Sequence, residues 1–584
     1  MKSNFSKDFF DFKLFKRILR YINPYRFIFY LSALFSISLA LFSILRPIII
    51  EYTIDNYIIG KNKELLLKFI IILFILLILE SIFQFLFIYS ANWISQSVIK
   101  DIRQKLFDKI LSFRLKYFNQ NPIGSLVTRT VSDIETISEI FSQGVLVILS
   151  DLFKILIIII WMINRDIKLT LISLSVFPIL ILSTKFFQKL MKIAFEEERY
   201  AISRLNAFLQ EHISGMKIVQ IFSREKQEFK KFKQLNKNFK NSTIQAIWYF
   251  SIFLPIIEII SALSLSLMVW YGGINILKDG QITPGLMVSF ILLINMLFRP
   301  VRNLSDRINI LQRGVVASRR VFKIIDLKYQ IKSTDNLNLK NFRGNIEFSD
   351  LTFSYNKNEI VLSNISFKVN QGEKLAIVGE TGSGKSTIIN LLLRFYEFSS
   401  GKILLDNQDI RKFSQSSIRK NFALVLQEIF LFSDTILNNI ILDSKITSDE
   451  VIRASKEIGL FNFINDFPGG FEYNVGERGV MLSSGQRQLI SFLRAYVINP
   501  KVIILDEATS SIDSNTEDLI QKALKKITDG KTTIIIAHRL STVKDVDKIL
   551  VLEKGKIVEC GNHEDLIKSD SVYKKIFNSQ IFNI

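Results

Sequence analysis

GETGSGKST, residues 379–387, is the stretch from which the rest of the chain is read. KLAIV runs into it and TIINLLLRF runs out of it. A short apolar strand, a glycine-rich turn and an apolar helix opening on Lys-Ser-Thr form the setting in which backbone wraps phosphate. Gly379, Gly382 and Gly384 let successive N–H groups close around the oxygens. Lys385 reaches the β and γ phosphates, and the Ser386 hydroxyl suits Mg²⁺. Glu380, Thr381, Ser383 and Thr387 complete the expected ATP-binding loop.

Working outward, short β-branched runs alternate with helical stretches. KLAIVG, KVIILDE and TTIIIAH read as buried strands of a largely parallel sheet, and KILVLEKGKIVECG reads as a closing hairpin. The second run ends in two carboxylates. Asp506 is the expected Mg²⁺ partner, directly or through water. Glu507 stands where it can polarise a water in line with the γ-phosphate. Gln427, in VLQE, is a neutral acceptor suited to Mg²⁺ or the attacking water. His538 follows a strand and is one of only three histidines; it is read as part of the catalytic set. Tyr355, in LTFSYN, can stack its ring on adenine.

The first 300 or so residues have another character. Apolar runs near residues 27–49, 65–90, 142–163, 167–187, 246–277 and 283–303 each approach or exceed the ~20 residues that span a bilayer. The fourth is interrupted by Pro178 and ends at Lys185. Basic residues set the orientation. Residues 1–26 hold seven Lys/Arg, 94–136 seven and 185–243 thirteen, whereas the alternate connections hold only Lys61, Lys63, Arg165, Lys168 and Lys278. That asymmetry predicts cytoplasmic termini. It also explains much of the formal charge of +21 without a nucleic-acid partner. The basic connections show apolar residues at helical spacing, so long helices should extend past the membrane and turn back near 119–125 (NQNPIGS) and 212–217 (HISGMK). No cleaved signal peptide is expected, and the single Cys560 excludes an intrachain disulfide. Glu80, Lys154 and Glu258 fall inside apolar segments. Such charges pair with one another or meet a polar substrate head, and both readings stay open.

The expected architecture is therefore multi-domain. An all-α six-helix transmembrane domain with long cytoplasmic extensions occupies 1–326, a linker 327–344, and an α/β P-loop ATPase domain 345–584. A second anion-binding loop, LSSGQ at 482–486, has no lysine or arginine of its own. The ordered set SY, GETGSGKST, VLQE, LSSGQRQ, VIILDEATSSID and AHRLST resembles the nucleotide-binding domain of the ABC transporter superfamily. With six helices fused ahead of it, the chain resembles the exporter-type half transporters of the multidrug and lipid-flippase group. YNVGERGVML resembles the segment of exporters that meets the helix tips.

The resemblance implies that two such domains pack head to tail. Leu482, Ser483, Ser484, Gly485 and Gln486 would then cover the ATP held by the other chain's P-loop, and Ser511, Ile512 and Asp513 would form a loop at the dimer interface. It further implies ATP and Mg²⁺ as cofactors and a multi-pass protein of a bacterial inner or plasma membrane. The implied partners are membrane lipid, a hydrophobic or lipid substrate, and a second copy or a paralogous half transporter. The usual signature has two glycines; Ser484 replaces the first, at a cost if that position needs a positive φ. Competing readings are an ATP-binding subunit of a heterodimeric exporter, a channel or regulator on the same fold, and a soluble ATPase of translation or DNA repair. The six membrane segments oppose the last.

Overall fold

The computed structural model describes residues 12–278, 282–327, 337–356, 359–442, 445–506, 514–537, 543–568 and 571–581. The chain divides into two compact units, residues 1–112 with 121–328, and residues 113–120 with 329–584.

Among the described residues of the first unit, six helices are long and apolar enough to cross a membrane: α1 (Asn23–Ile58), α2 (Lys63–Leu111), α3 (Ile123–Arg165), α4 (Ile167–Ser214), α5 (Glu225–Leu277) and α6 (Pro284–Ile325). Five of the expected runs lie within them, and the sixth begins one residue early, at Thr283, which caps α6. With 49 residues in α2 and 53 in α5, these helices reach about 73 and 80 Å at 1.5 Å per residue. That is more than twice the ~30 Å of hydrocarbon in a bilayer. Pro178 follows an interruption of the fourth span, where the helix Ile167–Leu174 ends in a turn over Ser175 and Val176. It occupies the first turn of Phe177–Ser214, where its missing N–H has no intrahelical carbonyl to lose. The chain turns at Asn121–Pro122, and again at Gly215, after which a short helix, Met216–Ile221, precedes α5.

Phe27, Phe74, Trp248 and Trp270 point outward, while Phe253, Ile257, Phe290, Leu293, Leu297 and Phe298 pack inside. Small polar groups bond across helix crossings, as in Ser264 Oγ to Ser173 O at 2.6 Å and Ser95 Oγ to Ser138 Oγ at 2.7 Å. Near the short connections, Asp55 accepts from Gly285 N at 2.7 Å and Thr283 Oγ1 at 2.5 Å. Glu51 accepts from Ser289 Oγ at 3.0 Å and lies 3.5 Å from Arg165 Nη2. These contacts join α1, α3 and α6. At the other end an N-terminal helix, Phe12–Arg20, is held to the exit of α6. Arg17 makes a two-pronged bond to Asp326 at 2.6 and 2.8 Å and lies over the Phe322 ring.

The second unit is built on a six-stranded sheet in the order β10-β9-β3-β8-β7-β6. Its strands are β3 (Lys374–Val378), β6 (Phe422–Val425), β7 (Val502–Asp506), β8 (Thr532–Ile536), β9 (Lys548–Glu553) and β10 (Lys556–Gly561). All pairings are parallel except β9 with β10. Ile503, Ile504, Ile534 and Ile549 are completely buried, which is why these strands read as unbroken apolar runs rather than alternations. The hairpin turns at Lys554 and Gly555, both with positive φ, as a two-residue primed turn demands.

A second, antiparallel sheet has the order β2-β1-β4-β5, from β1 (Ile346–Phe353), β2 (Leu362–Val369), β4 (Ser400–Leu405) and β5 (Gln408–Asp409). The stretch read as linker is shorter than expected. From Leu337 onward it is attached to the α/β unit, through Leu337 N to Lys412 O at 3.1 Å, Arg343 N to Asp406 Oδ2 at 2.6 Å, and the buried Phe342.

Candidate nucleotide site

β3, β6, β7 and β8 run parallel, so their carboxyl ends meet at one edge of the sheet. There the phosphate loop follows β3, Gln427 follows β6 by two residues, and Asp506 ends β7, paired with Ile536 of β8. Ligands of open α/β sheets bind at this edge. Glu507, His538, Ser511, Ile512 and Asp513 lie outside the described residues.

The loop delivers its chain into α7 (Lys385–Leu392) through Gly384, whose φ is 105°. A Cβ there would sit 2.6 Å from Leu362 Cδ2, so both backbone and space demand glycine. Lys385 is buried, and its ammonium donates to Gly379 O at 2.7 Å and Glu380 O at 2.9 Å. Burial lowers its pKa, and the charge of Asp506 at the end of β7 opposes that shift. Ser383 Oγ is buried with no hydrogen-bond partner among the described residues. An orphaned hydroxyl in a cradle of backbone donors fits an incoming phosphate oxygen. Thr381, Gly382 and Ser386 are exposed at the mouth.

Thr387 is engaged on both sides: its N–H reaches Gly384 O at 3.1 Å and its Oγ1 meets Tyr355 OH at 3.2 Å. The Tyr355 ring, half-buried, stands edge-on to Phe353 and to Tyr396 with centroids 4.8 and 4.9 Å away. It is thus fixed to the helix that carries the loop. Tyr396 was not singled out in the sequence. Its hydroxyl accepts from Asn119 Nδ2 at 2.7 Å, and Lys116 Nζ donates to Tyr355 O at 3.3 Å. Both come from the short helix Leu115–Gln120. The run LRFYEF after the phosphate loop was the available signal, although an aromatic there reads first as core.

The signature loop opens α8 (Ser484–Val497). Ser483 and Gln486 form a capping box: Gln486 N donates to Ser483 Oγ at 3.2 Å, and Ser483 N to Gln486 Oε1 at 2.9 Å. Leu482 and Gly485 are buried. Ser484 is the first helical residue, exposed, and is not among the positive-φ positions. The anticipated cost of a serine there does not arise. Arg487 donates to Leu482 O at 2.7 Å and Gly479 O at 3.3 Å, which ties the exposed Val480 and Met481 to α8. Gln427, Glu477, Val480, Ser484 and Arg487 line one open cavity of about 440 Å³.

Two family models match the chain, that of the ABC transporter transmembrane region over residues 29–301 and that of the ABC transporter over residues 362–510. The relatives match along their whole lengths. An ABC transporter ATP-binding protein of Bacillus subtilis, YknV, is 37% identical over 97% of this chain and 94% of its own. YgaD of the same organism, provisionally named a multidrug export ATP-binding/permease protein, is 35% identical over 97% of this chain and 99% of its own. An ATP-dependent lipid A-core flippase of Syntrophus aciditrophicus is 34% identical over 97% and 94%. The chain belongs to the ABC transporter family. It is an exporter-type half transporter, an integral membrane protein whose ATPase domain couples ATP hydrolysis to transport. Half transporters of this kind dimerise.

Proposed function

We propose that this half transporter works as a homodimer in a bacterial inner or plasma membrane, termini and ATPase domains in the cytoplasm, and moves an apolar or amphipathic substrate outward by alternating access. The observation that carries the nucleotide part is the orphaned Ser383 Oγ beside a buried Lys385 at the carboxyl edge of the sheet. ATP would lie along the phosphate loop with its base on Tyr355. Ser386, Gln427 and Asp506 would hold Mg²⁺, which neutralises charge between the outer phosphates. Glu507 would polarise the attacking water, and His538 would complete the set.

The reading of the signature loop is the family's: 482–486 covers the ATP of the other chain, and 511–513 lies at the interface. The helical backbone at Ser484 supports self-pairing, since nothing in the loop then calls for a glycine-bearing mate. The segments 119–129 and 209–217 would carry closure of the ATPase domains to the helices. The bonds of Lys116 and Asn119 to the tyrosines beside the phosphate loop support the first of them.

The test is ATP turnover by the purified chain alone in lipid, beside Glu507→Gln. Turnover that the substitution abolishes, with ATP still bound, is the expected result. Ordinary turnover in Glu507→Gln would remove that residue from its role. Negligible turnover in a folded, ATP-binding preparation of the unaltered chain would point to a missing paralogous partner or to a required substrate.

A further inference from the structure

Three rings meet beside the phosphate loop, and one of them is left partly open. Phe353, at the end of β1, and Tyr396, just beyond α7, are buried, whereas Tyr355 is half-buried. The planes of Phe353 and Tyr396 stand at 84° and 87° to that of Tyr355, with centroids 4.8 and 4.9 Å away. Edge-to-face pairs are directional, so two of them fix the plane of the ring they share. Phe353 and Tyr396 also pair with each other at 6.0 Å, which closes the support into a triangle.

The hydroxyl end of Tyr355 is held separately. Its OH lies 3.2 Å from Thr387 Oγ1, and Asn390 Nδ2 donates to it at 3.4 Å. With the amide supplying that bond, the phenol proton is free to go to Thr387. Thr387 and Asn390 are three residues apart on α7 and so share one face. Asparagine is a poor helix former, so a half-buried one inside a helix of eight residues calls for a use. Lys116 Nζ holds the main chain at Tyr355 O. A tyrosine that only filled the core would have its ring covered. This one is fixed at edge, hydroxyl and backbone while part of its surface stays bare. A tyrosine has two side-chain torsions, and fixing them before a ligand arrives removes an ordering cost from binding.

We propose that Asn390 and Tyr396 are positioning residues for the nucleotide base: Asn390 anchors the hydroxyl of Tyr355 and Tyr396 sets its plane, so that the open part of the ring meets the base of ATP without rearrangement. The inference rests on the reading that lays the base on Tyr355, and deepens it. α7 then serves both ends of the nucleotide, since Lys385 opens it toward the phosphates while Thr387 and Asn390 hold the ring. The experiment uses the full chain in detergent, with EDTA to stop turnover. Calorimetric titration gives its affinity for ATP and for inorganic tripolyphosphate, and the ratio of the two measures what base and ribose add. Stacking of a base on an aromatic ring holds about ten- to a hundredfold, so Tyr355→Ala should lower the ratio by that much. Tyr396→Leu should lower it about fivefold through the lost ring pair, and Asn390→Ala about threefold through one neutral hydrogen bond. Tyr396→Phe keeps the ring and should leave the ratio within about twofold.

Loosening of the whole domain would lower both affinities together, so a fall in the ratio reports the ring and not the fold. An unchanged ratio in Asn390→Ala and Tyr396→Leu, with a lower one in Tyr355→Ala, would overturn the positioning and leave the base on Tyr355. A fall in one of the two variants alone would overturn the role of the other residue. An unchanged ratio in Tyr355→Ala would take the base off that ring and the proposal with it. A fall in Tyr396→Phe as large as that in Tyr396→Leu would refute the ring of Tyr396 as the support and trace the effect to its bond with Asn119.

Discussion

Asn119→Ala should loosen the short helix Leu115–Gln120 from the ATPase unit without touching the phosphate loop. The amide of Asn119 donates to Tyr396 OH at 2.7 Å, and Tyr396 is 7% exposed. Burial raises the Tyr396 pKa, with the Asn119 bond opposing it, so the phenol stays protonated across the physiological range. A hydrogen bond to such a group contributes about 1 kcal/mol, a factor of about five in the docking equilibrium. Lys116 Nζ to Tyr355 O, at 3.3 Å, is a second attachment, so the helix should open more often rather than detach. The assay is amide exchange over residues 113–120 in the full chain, which should quicken about fivefold if exchange follows the open population. Tyr396→Phe should have a similar effect, and the two substitutions together should cost no more than one, since they delete the same bond. ATP affinity should change less than about twofold, because the Tyr396 ring remains against Tyr355. Unaltered exchange in Asn119→Ala, or effects that simply add, would refute the bond as the link.

Lys385→Ala should lower ATP affinity by about ten- to a hundredfold, the loss of one or two bonds to a charged group; equilibrium binding of a fluorescent ATP analogue checks it. Ser484→Gly should leave turnover within about twofold, since position 484 already has helical backbone; a tenfold rise would mean that the serine side chain obstructs the lid. His563 donates to or accepts from Tyr573 OH at 2.7 Å, and burial lowers its pKa, with Lys544 adding to the effect. The folded state thus prefers neutral imidazole. As pH falls below the unfolded value of about 6.5, the unfolded chain binds more protons and the C-terminal helices lose stability. The loss stops below the depressed native pKa. Thermal unfolding followed from pH 7.5 downward should show this slope, and His563→Gln should flatten it.

Much of this arrangement was readable from residue order because its determinants are local. The glycine turn between an apolar strand and an apolar helix is read from neighbouring residues alone, and six runs of some twenty apolar residues have few uses outside a membrane. The antiparallel sheet was not foreseen. β1 changes register between Phe348 and Leu351, around Asp350 with its positive φ, so its alternation breaks midway. The linker was read too long because 337–345 is polar; its attachment depends on strands and turns around residue 410 that only the fold brings near. Tyr396 escaped notice for the same reason, since its partner Asn119 is 277 residues away.

The two loops proposed to bind phosphate differ in a way that follows from their chemistry. In α8 the capping box consumes Ser483 Oγ and the Gln486 N–H, and Arg487 N is bonded to Ser483 O. What remains for a phosphate within 482–486 is the exposed Ser484 hydroxyl with the first N–H groups of a helix, a set of dipoles with no full charge of its own; the neighbouring Arg487 guanidinium is bonded to Leu482 O and Gly479 O. The loop at 379–387 has the opposite endowment, a buried ammonium and an orphaned hydroxyl. The neutral set can attract an anion but cannot offset its charge, and the charged set leaves one face of the phosphate open at its mouth. Each loop supplies what the other lacks. In the proposed head-to-tail pairing the charged loop of one chain would meet the neutral loop of the other twice over, and a single copy of each loop would suffice for a dimer.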